Sequence, residues 1–345
     1  MFNKLSIQSF RGIRECTIDG LKNVNLFFGK NNCGKSSVLD AVFLICGPSN
    51  PVLPININVI RDYAKVSRKD LEMDFYQLDE NQPITIKAED GESRTLEISI
   101  IESGIEQVQL SGKTEDSLSS QVEKRFGFKM DYNIDGRPFT SRLEINAADV
   151  SKAETQIDNQ YKEHLNCIYL SPRFNFLASI QGLLNIIQNK DEKFIIDALR
   201  LIEPRLEDFV FTGSEMLVDV GLKERIPINF LGDGARKMVS ILTAIYNCRN
   251  GVVLIDEIDN GFHHSVMKDL WQILLTVSER NHTQVYATTH DMDSIRGLIA
   301  ATRELGVEES VSAYRLQKLP GGTLKPYLLS VDNMEYAVEQ AIEIR

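Results

Sequence analysis

One stretch decides the fold of this chain: Gly29-Lys30-Asn31-Asn32-Cys33-Gly34-Lys35-Ser36. It fits the pattern G-x-x-x-x-G-K-[ST], in which the backbone N–H groups of a glycine-rich loop surround the phosphates of a nucleotide. The apolar run Val24–Phe28 precedes it and predicts a buried strand. A mostly apolar helix pattern over Ser36–Ile45 follows, and Gly47-Pro48 ends it. The order strand, loop, helix is the context that a phosphate-binding loop requires.

The chemistry of the loop assigns roles to its residues. The two glycines allow a tight turn and a close approach to phosphate, and Asn31 and Asn32 tolerate positive φ better than most residues. Lys35 should neutralise the β- and γ-phosphates, and Ser36 should bind Mg²⁺. A plain glycine turn is the alternative, and Cys33 is explained equally well as a small residue at an unrestricted position. The nucleotide-binding residues that we expect in this stretch are Gly29, Asn31, Asn32, Cys33, Gly34, Lys35, Ser36 and Ser37.

The composition is that of an ordinary globular protein. Of the 345 residues, 43% are hydrophobic and 25% are charged, and no apolar run approaches the roughly 18 residues of a membrane span. Five cysteines without CxxC pairs and an N-terminus without a signal-peptide pattern predict a cytoplasmic protein with reduced thiols. The net charge of −11 argues against a surface that coats nucleic acid, although a local basic groove, for instance in a dimer, stays compatible with it.

The pattern divides the chain into three parts. Residues 1–50 form the N-terminal part of a nucleotide-binding core. Residues 51–165 read as a β-rich antiparallel insertion that carries most of the acidic excess. Residues 166–345 alternate helix and strand, which predicts a mostly parallel sheet with helices on its faces.

Three local expectations concern the insertion. Asp135-Gly136 is a hairpin signal between two strand-like runs. Val108–Leu110 reads as a short strand, and residues 147–164 read as a polar linker for which helix is one option. The acidic surface itself is explained by solvation alone.

A second chemical motif is Val252-Val253-Leu254-Ile255-Asp256-Glu257. Four apolar residues followed by two acids describe a buried parallel strand that ends at the edge of the sheet where ligands bind. Asp256 fits the strand-end aspartate that holds Mg²⁺ in phosphate-loop enzymes, and Glu257 is placed to act as the general base on water. Taken alone, the two acids could also cap a surface strand.

A third motif ends another strand pattern, Gln284–Thr289, with His290 and Asp291. A histidine at this edge can reach the γ-phosphate or the attacking water, although a single strand-end histidine is more often structural.

A fourth motif is Leu231-Gly232-Asp233-Gly234, followed by Arg236 and a long apolar helix. A glycine-bearing turn that leads into a helix N-terminus makes a second anion site, and the alternative is that Asp233 serves only as an N-cap.

Taken in chain order, the four motifs resemble an ABC-type ATPase of the group that includes RecF, the SMC-like repair proteins and the OLD (overcoming lysogenization defect) family. The resemblance makes Gly29–Ser36 the Walker A motif, Asp256 and Glu257 the Walker B motif and His290 the switch histidine. It implies an α/β ABC-ATPase head, with a mostly parallel phosphate-loop sheet, an antiparallel β-rich insertion and a helical signature subdomain. The signature, which acts on a second copy, would comprise Leu231, Gly232, Asp233, Gly234 and Arg236.

The N-terminal Ser9-Phe10-Arg11-Gly12 is similar to the Phe-Arg pair of that group, which implies that Arg11 contacts the nucleotide. The segment that follows Glu257, up to His263 and His264, is especially close to the OLD family. In that family it carries the D-loop, so the two histidines are expected to be interface or structural residues.

The chain departs from the group's pattern at three points. Asp233 stands where transporters carry a small residue. No clear Q-loop is present, so Gln77 is only a candidate third residue, with Ser36 and Asp256, for the Mg²⁺ site. The residues after His290 are too few for the Toprim nuclease domain of OLD nucleases.

The resemblance implies a cytoplasmic ATPase that uses ATP and Mg²⁺ and acts as a homodimer or higher oligomer. Members of this branch without a Toprim domain often serve antiphage defence with a separately encoded effector, and we expect that setting here. A RecF- or SMC-like DNA-binding ATPase is the alternative, although the net charge does not favour DNA. A phosphate-loop kinase has no use for the signature motif.

Overall fold

In a computed structural model, the chain is described over residues 1–107, 121–172 and 176–339. The strand expected at Val108–Leu110 lies outside the described residues. None of the helices in the described ranges is both long and apolar enough to cross a membrane.

The first part of the chain contains β1 (Lys4–Phe10), β2 (Ile13–Asp19), β3 (Val24–Phe28), α1 (Lys35–Cys46), α2 (Leu53–Ile60), α3 (Arg68–Leu71), β4 (Ile84–Asp90), β5 (Glu92–Gln107), β6 (Gln121–Ile134), β7 (Arg137–Asn146) and β8 (Ala153–Ile157). The second part contains β9 (Cys167–Leu170), α4 (Phe176–Gln188), α5 (Glu192–Leu199), β10 (Asp208–Phe211), β11 (Met216–Asp219), β12 (Ile226–Pro227), α6 (Asp233–Asn247), β13 (Val252–Ile255), α7 (Met267–Asn281), β14 (Gln284–Thr289), α8 (Met292–Leu305), β15 (Val311–Lys318), β16 (Leu324–Leu329) and α9 (Val331–Glu339).

The central sheet has six strands in the order β16-β15-β3-β14-β13-β9. All neighbouring pairs are parallel except the hairpin β15–β16. The strands β3, β13 and β14 are buried on both faces, as their continuous apolar runs predict for a covered parallel sheet. Their C-terminal ends meet at one edge, and this edge carries three of the four sequence motifs. The mostly parallel sheet expected from the sequence is confirmed.

The second sheet is antiparallel and has the order β2-β1-β4-β5-β6-β7-β8. Helix α1 lies between the two sheets, so its apolar side chains share one core with both of them. A second core fills the opposite face of the central sheet, where α6, α7 and α8 pack. The helix that holds the phosphate loop is therefore clamped on both sides, which fixes its N-terminal end in space.

Two expectations for the insertion have clear outcomes. The hairpin at Asp135-Gly136 is confirmed, because β6 ends and β7 begins on either side of these two residues, both with positive φ. The helical option for residues 147–164 is wrong, since Ala153–Ile157 pairs with β7 as an edge strand. Every residue of this strand is exposed, so the sequence carries no alternation that could have revealed it.

The signature motif lies in a separate helical region. Helices α4 and α5 are interrupted at residues 189–191, as their polar sequence predicts. A three-stranded sheet, β10-β11-β12, leads into a 3₁₀ turn over Ile228–Leu231 and then into α6. The division of the chain at residues 50 and 165 remains a prediction, and β1 pairs with both β2 and the insertion strand β4, so that all three lie in one sheet.

Candidate functional site

The phosphate loop has the backbone geometry that its two glycines were expected to allow. Gly29 has φ +143°, and a Cβ placed there would lie 2.6 Å from the carbonyl oxygen of Leu316 on β15. Gly34 has φ +105° and forms the N-cap of α1. Asn32 has φ +61°, so the expected positive φ is confirmed for this asparagine. Larger residues at either glycine would distort the loop or push it away from β15.

Lys35 and Ser36 occupy the first turn of α1, beside this loop. The Lys35 ammonium donates to the carbonyl oxygens of Gly29 at 2.9 Å and Lys30 at 3.1 Å. The Ser36 hydroxyl donates to Oδ1 of Asp256 at 3.0 Å, although the two residues are 220 positions apart in the chain. A hydroxyl and a carboxylate at this separation are hard oxygen donors of the kind that Mg²⁺ prefers. The donor set therefore fits the metal that the sequence predicts.

Asp256 and Glu257 follow β13 at the same edge of the sheet. Asp256 is 5% exposed and accepts from the Thr288 hydroxyl at 2.5 Å. The same hydroxyl oxygen accepts from the Glu257 backbone N–H at 2.8 Å. Thr288 thereby fixes both acids from the neighbouring strand β14. No sequence pattern marks Thr288, because its contacts with Asp256 and Glu257 depend on the pairing of β13 with β14 in the folded chain.

Glu257 lies in a left-handed turn, with φ +51°. A non-glycine residue in this region persists only where its surroundings over-determine it, and such residues concentrate at functional sites. The conformation turns Glu257 out of the strand, so that it lines the phosphate pocket beside Asp256. This placement is compatible with the predicted role of general base.

His290 stands at the rim of the site, after β14. Its Nδ1 lies 3.9 Å from Oδ2 of Asp259, and its side chain is 49% exposed. Thr289 donates a hydrogen bond to the same Asp259 carboxylate, which is 9% exposed. Asp259 thus links the segment after Glu257 to the end of β14, and it holds the histidine near the pocket.

These side chains surround one pocket of about 290 Å³. Its lining consists of Asn31, Asn32, Gly34, Lys35, Ser36, Ser37, Arg61, Asp256, Glu257 and His290. The structure therefore gathers most of the predicted nucleotide, metal and catalytic residues at one place. Gly29 does not line the pocket, but its carbonyl oxygen accepts from the Lys35 ammonium. Cys33 is buried, and burial raises the pKa of its thiol, so it is not activated for chemistry.

Arg61 is a lining residue that the sequence analysis missed. It follows α2 and donates to Oδ2 of Asp40, from Nη2 at 2.6 Å and from Nε at 3.0 Å. Asp40 belongs to α1 and is fully buried. Arg61 therefore gives the pocket a second cationic side chain besides Lys35. An isolated arginine after a short helix carries no sequence signal, so only the fold identifies it.

Arg11 and Gln77 lie outside this lining. The Arg11 guanidinium is 14% exposed and donates to Asp40, to Asp74 at 3.1 Å and to Asn58 at 2.7 Å. Its donors are therefore used in contacts with these three residues, outside the pocket. The Gln77 amide donates to the Tyr76 hydroxyl at 3.3 Å. The nucleotide contact of Arg11 and the metal contact of Gln77 remain predictions that this arrangement does not support.

The signature residues do not line the pocket of their own chain. Gly232 has φ +89°, and a Cβ there would meet nothing within 4 Å. Gly232 is the N-cap of α6, and no side chain caps this helix end. The N-cap alternative for Asp233 is therefore wrong, since Asp233 is the first residue of the helix and pairs with Arg236. Leu231 packs against the core, Gly232 and Asp233 are exposed, and Gly234 is buried against Gly261.

Lys237, one turn further along α6, is buried. Its ammonium donates to the backbone carbonyls of Glu257 and, at 3.0 Å, Asn260. Burial lowers the pKa of this ammonium to about 8, while the carboxylates of Asp259, Glu257 and Asp256 act in the opposite direction.

A second cleft of about 270 Å³ adjoins the first, and Asn31 and Asn32 line both. Its basic side chains are Lys30, Arg315 and Lys318. Within the described part of the chain, these three form no ion pair with a carboxylate, so the cleft is locally positive on an acidic protein.

Comparisons with known proteins identify the family. The family model described as "AAA domain, putative AbiEii toxin, Type IV TA system" matches residues 24–295. An "ATP/GTP phosphatase" of Helicobacter pylori (strain ATCC 700392 / 26695) is 25% identical over 368 residues, which cover 98% of this chain and 98% of that protein. "Uncharacterized protein MJECL10" of Methanocaldococcus jannaschii is 46% identical over 44 residues, or 13% of this chain and 20% of that protein.

Among solved structures, an SMC head bound to the C-terminal winged-helix domain of ScpA is similar in fold. The TM-score is 0.50 at 12% identity, with 98% of this chain and 99% of that chain covered. At this identity the likeness concerns the fold alone. The likeness shows that the chain has the α/β fold of an SMC head, as expected for the ABC-ATPase head that the motif order predicts.

Proposed function

The chain belongs to this AAA-domain family, and we propose that it hydrolyses ATP to ADP and phosphate as a nucleotide-driven dimeric switch. One observation carries the proposal. Ser36 from the phosphate loop, Asp256 and Glu257 from β13 and His290 from β14 converge on a single pocket. The relative from Helicobacter pylori is named for phosphatase activity on ATP and GTP, which supports a nucleoside triphosphate as substrate.

The reaction follows from the positions of these groups. The N-terminus of α1 and Lys35 bind the phosphates, and they neutralise charge that shifts toward the leaving ADP. Mg²⁺, held by Ser36 and Asp256, would supply Lewis-acid stabilisation of the phosphate oxygens. Glu257 accepts a proton from the attacking water, and His290 orients that water or the γ-phosphate from the rim. The Thr288 hydroxyl donates to the Asp256 carboxylate and accepts from the Glu257 backbone N–H, so it holds both residues at the sheet edge.

A second copy is needed to complete this site. The signature residues Gly232–Gly234 present a helix N-terminus that no side chain of the described residues caps. The resemblance to ABC-type heads pairs such a turn with the phosphate loop of a partner. ATP would then hold two copies together, and loss of the γ-phosphate contacts on hydrolysis would release them.

The useful output of such an enzyme is a change of shape that another protein detects. The OLD-like segment after Glu257 and the family description, which names a toxin–antitoxin system, both support a separately encoded effector in antiphage defence. The net charge of −11 favours a protein partner over a duplex-coating surface.

The decisive experiment uses Glu257→Gln with the parent protein. Removal of the base should lower kcat for ATP by on the order of 10²-fold or more. ATP binding should persist, and a closed dimer should accumulate on a sizing column in ATP. Glu309→Gln, a change of a fully exposed carboxylate, is the matched control and should behave as the parent. Parent-level hydrolysis by Glu257→Gln would remove Glu257 from the role of base.

The basic cleft supports a second candidate function, a RecF-like ATPase that clamps DNA. Lys30, Arg315 and Lys318 adjoin the phosphate loop, so bound nucleotide and DNA would influence each other. A filter-binding titration against salt separates the two functions, because phosphate contacts make DNA affinity fall steeply with salt. ATP-dependent, salt-sensitive binding would favour the clamp, and no binding at low salt would eliminate it.

A further inference from the structure

Lys237 on α6 is a buried, positively charged side chain, and the proposed reaction does not require it. Its side chain is 4% exposed. Its ammonium contacts two backbone carbonyls and, among the described residues, forms no ion pair. Burying an ammonium is costly unless its protons find acceptors, so a lysine is an unfavourable way to fill this space. An apolar residue would pack there more cheaply.

The two acceptors enclose the turn that carries the catalytic carboxylate. They are the carbonyl oxygens of Glu257 and Asn260, and the Glu257 oxygen also accepts from the Asn260 N–H at 3.0 Å. Glu257 holds φ +51° in this turn. Such a conformation needs external contacts to persist, and Lys237 supplies a direct one from a different element.

The start of α6 also packs on the same segment. A Cβ on Gly234 would lie 2.6 Å from the carbonyl oxygen of Gly261, so glycine is what allows this approach. The Phe262 ring lies 5.9 Å from the Lys237 ammonium. Gly234 and Lys237 therefore join the signature helix to residues 257–262 at two points. A shift of one would move the other.

We infer that Lys237 is a positioning residue for Glu257, and that through it the signature turn acts on the catalytic base of its own chain. The inference rests on the proposed function. When the nucleotide of a second copy engages Gly232–Gly234, the N-terminal end of α6 becomes fixed. The contact that Lys237 makes with the Glu257 carbonyl is then held in place, and with it the orientation of the carboxylate. Each site is thereby prepared for hydrolysis when its chain's signature turn is occupied.

The test compares Lys237→Met with the parent. Methionine keeps the apolar stem and removes the donor. We expect kcat to fall about 10- to 100-fold, because a misplaced catalytic group is inefficient. KM and the Kd for ATP should stay within about twofold, since the phosphate loop is untouched. Lys193→Met, at an exposed position of α5, is the matched control and should leave kcat unchanged.

Two further readouts distinguish positioning from stability. Lys237→Arg restores donors to the two carbonyls and should recover most of the lost kcat, and melting temperatures identify any variant that is unfolded. A folded Lys237→Met with parent kcat would overturn the inference, and so would a folded Lys237→Arg that stays as slow as Lys237→Met. Absence of ATP hydrolysis in the parent itself would instead overturn the proposed function.

Discussion

Two turns of this molecule share one construction and differ in their surroundings. Gly34 before α1 and Gly232 before α6 each have positive φ, and each precedes a helix whose N-terminus no side chain caps. The α1 end lies in a pocket with Asp256, Glu257 and His290. The α6 end has open space around Gly232. The first helix end therefore shares a pocket with the predicted catalytic residues, and the second does not.

The difference follows from where each helix packs. Helix α1 is enclosed between the two sheets, so its N-terminus is fixed at the sheet edge that receives the strand-end acids. Helix α6 covers the opposite face, and Gly232 and Asp233 at its N-terminal end are exposed. The same anion-binding end therefore serves a local site in one case. In the other case, the proposed function assigns this end to the nucleotide of a second copy.

The largest expected effect comes from disabling the two turns separately. Lys35→Ala should abolish ATP binding and hydrolysis, because it removes the charge that faces the phosphates. Gly232→Glu disturbs the α6 turn in two ways, because it places a side chain at φ +89° and adds a carboxylate at the helix N-terminus. It should also abolish hydrolysis while ATP binding to the phosphate loop persists. Equilibrium binding and phosphate release measure the two properties for each variant.

Mixing the two variants tests whether the two turns act together across a dimer. If the turns act across a symmetric dimer, a mixed dimer has one intact composite site. An equimolar mixture should form ATP-dependent mixed dimers, which neither variant forms alone. Its rate should reach at most about a quarter of the parent rate, because the intact site belongs to the Gly232→Glu chain, whose own signature turn stays empty. Absence of an ATP-dependent mixed dimer would mean that the α6 turn does not serve the partner's phosphate loop.

The sequence predicts the local structure of strands and turns better than the residues that pack around them. The strands β3, β13 and β14 and the hairpin at Asp135-Gly136 are predictable because apolar runs and turn residues act over a few positions. The proximity of Ser36 and Asp256 is predictable in kind, since the carboxyl ends of parallel strands share an edge. These features rest on local rules or on a rule of topology.

Other parts of the site depend on contacts between distant residues with no pattern of their own. Arg61 enters the pocket only because α2 folds back over α1, and Lys237 looks like one more charged residue on an amphipathic helix. The strand Ala153–Ile157 is exposed at every position, so no periodicity marks it. Asp233 is absent from the N-cap because the 3₁₀ turn before α6 places Gly232 there.

A smaller effect is expected inside the pocket, from Thr288→Val. Valine keeps the shape and the β-branch, but it removes the hydroxyl that donates to Asp256 and accepts from the Glu257 N–H. Hydrogen bonds to charged groups contribute about 1.5–3 kcal/mol. The expected loss in kcat is therefore about 10- to 100-fold, because each 1.36 kcal/mol is about a factor of ten in rate. Steady-state kinetics at saturating ATP measures it.

Thr302→Val is the matched control, since Thr302 is also buried but donates only to the Leu298 carbonyl of its own helix. It should lower the melting temperature slightly and leave kcat unchanged. Because Thr288 serves the phosphate-loop side alone, the ATP-dependent dimer of Thr288→Val should form as in the parent. A Thr288→Val variant with normal kcat and a weakened dimer would instead place this strand end in the dimer contact, and the contrast between a local and a shared turn would then lose its basis.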